Sequence, residues 1–431
     1  MGVRRAVTFI FALWALGLVL GELVQQVAAG AAVLCACVLA FRQQLPLASD
    51  VKAYVRASMA LTAWQLISPA IALLTGAADR WPRGARYGQV LDTMAGAAVA
   101  SVGVAGVPWL LLGALILGGW VLSVGLGLFQ HLVRWPWEPP SLLKLNLARL
   151  HENFGTEEHP RYAAGGFFFH RLRFSHGAIA ILGPALAVMA KGRLVWLRWL
   201  ATASVCALLI APYTAFARAA LLTGLTVCAV SLALLVRGTP RKVGLALAAV
   251  LVCVVMATPA WRARLGKAVE NLWGGERALA MSVGWRLVKE HPLVGVGFGN
   301  HKPAALATQA ETGITDLLST DSHNLWLTIW AETGLVGLVL WAAVHALLVR
   351  ALIHRHQAGS VAATGALLSF VGFHVLALVH YLPFHSSVHL SFSFVWGLGL
   401  CEWESRERNA QPLDASNGRV QDEGMRPDDG C

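Results

Sequence analysis

Residues 321–350 read DSHNLWLTIWAETGLVGLVLWAAVHALLVR, and this stretch decides the class of the fold. A polar segment, Asp321 to Asn324, runs directly into an apolar run that ends on Arg350. A helix needs about 20 apolar residues to cross roughly 30 Å of hydrocarbon, and this run supplies them. The same signature recurs on both sides, each apolar run being bounded by Arg, Lys, Gly or Pro. Spans are expected near 6–22, 27–41, 57–75, 89–105, 108–130, 176–190, 194–212, 217–236, 243–259, 324–349, 360–381 and 386–401. Pro108 is the reason for splitting 89–130 in two. The expected fold class is an all-α polytopic membrane protein of about 12 transmembrane helices.

Composition agrees. The 431 residues are 57% hydrophobic and only 13% charged, with a mean hydropathy of +0.60. A water-soluble protein must cover itself with more polar surface than that. The net charge of +11 fits orientation in a bilayer and contact with anionic headgroups or phosphates, and no nucleic-acid partner is expected. Short loops rich in Lys and Arg stay in the cytoplasm. Arg4, Arg5, Arg42, Lys52, Arg56, Lys191, Arg193, Arg237, Arg241, Lys242, Arg350 and Arg355 then put both termini inside, with Arg80, Arg83 and Arg86 as the dissenting loop. The first span lacks a small-residue cleavage site and is followed at once by a second, so it reads as an anchor and not a signal peptide. Cys35, Cys37, Cys206, Cys228, Cys253 and Cys401 fall in apolar runs and read as small buried hydrophobes, without zinc-type spacing.

Two polar excursions, both on the outer side, divide the chain. The N-terminal transmembrane helices occupy 1–130, a first periplasmic excursion 131–175, and the central helices 176–259. A large periplasmic loop follows at 260–322, then C-terminal helices at 323–401 and a disordered cytoplasmic tail at 402–431. The first excursion holds SLLKLNLARLHENF, which suits a helix lying in the headgroup layer. The second holds GGERALAMSVGWRLVKEHP, where Leu279, Val283 and Leu287 share one helical stripe that Pro292 should end. Gly295, Gly297 and Gly299 then offer a turn whose backbone can approach a phosphate or sugar.

The residues able to carry chemistry sit at the outer ends of these elements. His323 enters the tenth span at its first turn, where an imidazole with an ordinary pKa near 6.5 can accept a proton. Asp321 can orient it, and Asp321 or Ser322 can cap the helix. Arg218 lies about 28 Å along a helix from Arg237, at the outer edge of its span, where a cation must snorkel or meet an anion. Arg277 opens the amphipathic helix of the large loop, with Arg286 further along it. Arg161, His170, Arg171, Arg173 and His176 concentrate charge in the first excursion. Each has an ordinary alternative, as an interfacial anchor or solvated charge. Glu332, inside a span, serves either function or a packing hydrogen bond.

Taken together these residues resemble the O-antigen ligase and O-antigen polymerase superfamily of bacterial inner membranes. The motif of the ligases, a His-Asn pair followed by Gly-x-x-Gly, fits His323, Asn324, Gly334 and Gly337. Arg277, then His291-Pro292, then Gly295 and Gly297 fit its loop motif. Arg218 fits its outer-end arginine, although the usual Ser-Arg-Gly is Ala217-Arg218-Ala219 here.

The resemblance implies a GT-C-like glycosyltransferase, a multi-pass protein of the bacterial cell inner membrane with its active site facing the periplasm. It implies an undecaprenyl-diphosphate-linked glycan as donor and a sugar hydroxyl of the lipid A core oligosaccharide as acceptor. No cofactor and no metal are expected. His323 would be the general base and Arg218 and Arg277 the diphosphate clamp, with Arg161, His170, Arg171, His176, Arg286, Asp321 and Asn324 in support. An O-antigen polymerase, a protein O-oligosaccharyltransferase and a non-enzymatic transporter of lipid-linked sugars remain as alternatives. The histidine motif favours the ligase.

Overall fold

Apolar runs become helices in a bilayer because only a helix satisfies its own backbone polar groups there. A computed structural model describes residues 2–42, 47–82, 87–135, 152–168, 170–236, 276–312 and 321–401, with the single positions 262 and 266. Within them lie thirteen α-helices and no strand. They are α1 (Gly2–Leu20), α2 (Glu22–Phe41), α3 (Ser49–Leu74), α4 (Tyr87–Val102), α5 (Trp109–Leu132) and α6 (Arg171–Lys191). Then come α7 (Val195–Thr214), α8 (Arg218–Leu235), α9 (Glu276–Glu290), α10 (His301–Thr312), α11 (Leu325–Gln357), α12 (Val361–Ala377) and α13 (Ser386–Gly399).

Seven of these helices (α2, α3, α5, α6, α7, α8 and α11) are long and apolar enough to cross a membrane. This is a multi-pass membrane protein. The lateral packing shows the inversion that lipid contact allows. In α2 the buried face is Gln25, Ala28, Ala29 and Ala32, while Leu23, Val27, Leu34 and Val38 are exposed. Small residues let helices approach, and lipid rather than water faces the large ones. Helix α6 is the central post: 13 of its 21 residues are buried, and it packs against α7, α8, α12 and α13.

Several expected boundaries move. Helix α3 starts at Ser49 and α11 runs on to Gln357, both longer than expected, because charged ends carry the helices past the apolar zone. There Asp50 of α3 pairs with Arg355 of α11. Helix α6 begins at Arg171, so Arg171, Arg173 and His176 belong to its first turns and not to the preceding excursion. The expected last span, 386–401, is instead the 14-residue α13, about 21 Å long and too short to cross alone. All its residues are buried among protein neighbours, so it is an interior helix. The break at Pro108 is real: α4 ends in a 3₁₀ turn and Pro108 caps α5. The span at 243–259, the headgroup helix of the first excursion and the tail at 402–431 lie outside the described residues.

Helix α11 is not continuous. Gly334 has φ 65° and ψ −172°, and the backbone of 292–297 docks into the opening. The Val296 amide donates to the Ala331 carbonyl at 2.9 Å and the Leu335 amide to the Pro292 carbonyl at 2.9 Å. Trp64 Nε1 of α3 donates to the Thr333 carbonyl at 2.9 Å. These groups at the kink thus find partners, as burial in a membrane demands. The glycine turn after Pro292 serves this junction. A Cβ on Gly295 would lie 2.5 Å from the Glu332 carbonyl carbon, so it approaches a helix where a phosphate or sugar was expected. A Cβ on Gly334 would lie 2.1 Å from the Leu293 carbonyl oxygen, in a backbone conformation that suits only glycine. Gly334→Ala is expected to destabilise by at least about 3 kcal/mol, read as a lower thermal midpoint in detergent. An unchanged midpoint would mean the junction gives way without cost.

Candidate functional site

His323 precedes α11 in a strained loop. It has φ 51°, a left-handed conformation that non-glycine residues adopt seldom and mostly where neighbours enforce it. Three contacts do so. Asp321 Oδ1 accepts the His323 amide at 2.7 Å, an Asx-type turn. Ser322 Oγ meets His301 Nε2 of α10 at 2.8 Å, and the Ser322 amide donates to Thr328 Oγ1 at 3.1 Å. The cap expected of Asp321 or Ser322 is supplied instead by Asn324, whose Oδ1 accepts the Leu327 amide at 3.0 Å. Asp321 and Ser322 are spent on the turn itself. Asp321 Oδ1 also lies 3.7 Å from His323 Nδ1; the carboxylate is 8% exposed and the imidazole 35%. The ring is therefore oriented from behind and open in front.

Arg218 is the first residue of α8, after Phe216 at φ 50°. Phe216 is held by His131 and Phe154, with ring centroids 5.4 and 4.7 Å away, so the described part of the first excursion fixes the turn that launches Arg218. The first turn of a helix carries the positive end of its dipole, an unfavourable place for a cation unless an anion is present. Arg277, on the first turn of α9, lies near enough for its charge to act on Arg218. Burial pushes the Arg277 guanidinium down from its ordinary pKa, and the Asp321 carboxylate opposes that shift. One acidic group thus sits beside both Arg277 and His323, joining α9 to the histidine loop.

Two residues of this site escaped the sequence reading. His380, in the connection between α12 and α13, feels the charges of Arg277, His323, His176 and His385. Burial, the largest cause, and these cationic neighbours hold its imidazole well below the ordinary value. Its ring packs on that of His176, 4.7 Å between centroids, and His385 packs on His170 at 5.5 Å. The connection is pinned at two points. Asn324 Nδ2 donates to the Leu378 carbonyl at 3.2 Å, and the Tyr381 hydroxyl to Glu332 Oε2 at 3.3 Å. Glu332 also accepts the His301 amide at 3.4 Å, so it acts as a packing group. The signal was available: HYLPFH, residues 380–385, places two histidines around a proline between two apolar runs.

The remaining candidates divide. His170 caps α6, its Nδ1 accepting the Arg173 amide at 3.4 Å, and belongs to the cluster with His176. Arg171 pairs with Glu152 at 3.4 Å and lies over the Phe154 ring. Arg173 pairs with Glu22 of α2. Arg161 sits on an exposed turn, bonded to the Pro160 carbonyl, with its charge acting on His131. Arg286 is nine residues beyond Arg277, about half a revolution around the helix, and pairs with Glu290 at 2.7 Å on the exposed side. Among the described residues, no group of three or more His, Cys, Asp or Glu side chains is spaced to hold a metal ion.

The starts of α6, α8, α9 and α11 and the α12–α13 connection thus bring two arginines, Asp321 and a group of histidines to one place. Residues 202–342, from α7 to the middle of α11, match the family model described as O-antigen ligase. Over this stretch, which is less than half of the chain, the protein is similar to the O-antigen ligase family. The matched segment contains Arg218, Arg277 and His323 together with Gly334 and Gly337. No curated protein matches the chain. That likeness supports glycosyl transfer of the ligase or polymerase type, for which the family implies lipid-linked glycan and lipid A core as kinds of substrate. His380, His385 and the start of α6 fall outside the matched segment, so their place in the cluster comes from the fold alone.

Proposed function

We propose that this protein is an O-antigen ligase. It moves a glycan from undecaprenyl diphosphate to a sugar hydroxyl of the lipid A core, at the periplasmic face of the bacterial inner membrane. One observation carries the reading: Arg218, Arg277 and an accessible His323, with Asp321 behind it, share one electrostatic cluster at the end of the helices. Two arginines at the starts of two neighbouring helices suit an anion, and their forked donors match a diphosphate.

His323 takes the proton of the acceptor hydroxyl while that oxygen attacks the anomeric carbon of the donor. The bond from that carbon to the diphosphate oxygen breaks, and its electron pair stays on the diphosphate. Arg218 and Arg277 neutralise the charge that develops there. Asp321, beside Nδ1, leaves Nε2 to face the acceptor.

A transporter of lipid-linked sugars would be favoured by broken helices near the bilayer centre. The one at Gly334 is filled by the backbone of 292–297, which supports a fixed scaffold. The deciding experiment is reconstitution of purified protein with a lipid-linked glycan and either lipopolysaccharide core or a second lipid-linked glycan. Lengthened core is the expected product. Lengthened lipid-linked glycan would make the protein a polymerase, and no transfer to either would end the reading.

A further inference from the structure

His380 occupies an unusual position. It lies in a connection pinned by Asn324 and Tyr381, within reach of the charges of His323 and Arg277. Behind it stands His176, wholly buried, with neither ring nitrogen hydrogen-bonded among the described residues. Among the described residues, the charges that act on His380 are positive or able to become so: Arg277 from α9, His323 from the loop before α11, His176 from α6 and His385 from the start of α13. His170 and Arg171 act on His176 in turn, Arg218 stands beside Arg277, and Asp321 is the anion that faces Arg277. An imidazole in such company stays neutral while the site is empty. A diphosphate reverses the sign of the local field, and the same ring then gains by taking a proton and donating it to a phosphate oxygen.

We propose that His380, backed by His176, is a further diphosphate-binding residue whose ring takes up a proton from solvent as the lipid diphosphate arrives. The inference rests on the donor chemistry of the proposed function and adds a residue and a proton to it. The linkage has a definite sign. A group whose proton affinity rises on binding makes the complex tighter as pH falls, and the free protein resists protonation there. Donor affinity should therefore strengthen from about pH 8 toward about pH 6, the range in which histidine titrates.

The test is titration calorimetry of the full-length protein in detergent with undecaprenyl diphosphate, near neutral pH, in two buffers of different ionisation enthalpy. The wild type should take up a measurable fraction of a proton, approaching one, per diphosphate bound. His380→Gln should lose most of that uptake, lose affinity on the order of tenfold, and show a flatter pH profile. Uptake that persists in His380→Gln would overturn the proposal. So would binding without uptake by the wild type, a measurement that needs no variant to fold. Glycan transfer by the wild type in the same preparation separates the two readings: transfer with no His380-dependent uptake sinks only this one. Failure of the wild type both to bind the diphosphate and to transfer glycan sinks the function as well.

Discussion

Replacing His323 with alanine is expected to lower glycan transfer by about 10²- to 10⁴-fold while lipid-diphosphate binding persists. The reasoning starts from geometry. The imidazole is partly exposed, and the buried Asp321 carboxylate lies beside its Nδ1. The loop is strained at this residue, so alanine itself costs about 1–2 kcal/mol in the left-handed conformation. Asparagine tolerates that conformation and has no base, which makes His323→Asn the cleaner variant. Both should bind donor nearly as well as the wild type, because the anion is assigned to the arginines. Rapid transfer by His323→Asn, measured as lengthened core in the reconstituted system, would remove the general base from the mechanism.

Loss of Arg277 should produce the opposite pattern. Arg277→Ala is expected to weaken undecaprenyl diphosphate binding about 10- to 100-fold, the value of one or two charge-assisted hydrogen bonds. Lysine should restore only part of this, because a point charge cannot make a forked contact with two phosphate oxygens. The more telling measurement is stability. In the empty protein Arg277 is partly desolvated and repels Arg218. Removing it should leave the ligand-free thermal midpoint unchanged or higher while donor-induced stabilisation disappears. A lower ligand-free midpoint would mean that Arg277 holds the fold together, chiefly through Asp321, and that its service to the donor is secondary.

The helices were legible because a bilayer imposes one solution on an apolar run. Their ends were less so, since charged residues such as Asp50 and Arg355 extend a helix past the apolar zone that marks it in sequence. Helix α13 reads as a span by composition, but its neighbours in the fold, not lipid, cover it. Arg218, Arg277 and His323 could be picked out because charge at the edge of an apolar run is conspicuous. His380 was less conspicuous: its only signal is the pair of histidines around Pro383 in a short turn. Its meaning comes from α6 and α9, remote in sequence, arriving beside it. Arg286 shows the converse. It shares a helix with Arg277, yet helical rotation turns it toward Glu290 and away from the cluster.

The junction at Gly334 has a mechanical consequence. Because the strand of backbone after α9 is stitched into the gap of α11, the arm bearing Arg277 and the helix headed by His323 travel as one piece. If Arg277 grips the phosphate and His323 is the base, as proposed, this junction favours a constant spacing between them. On the proposed function, a lipid-borne donor would then meet a site whose two halves are already joined.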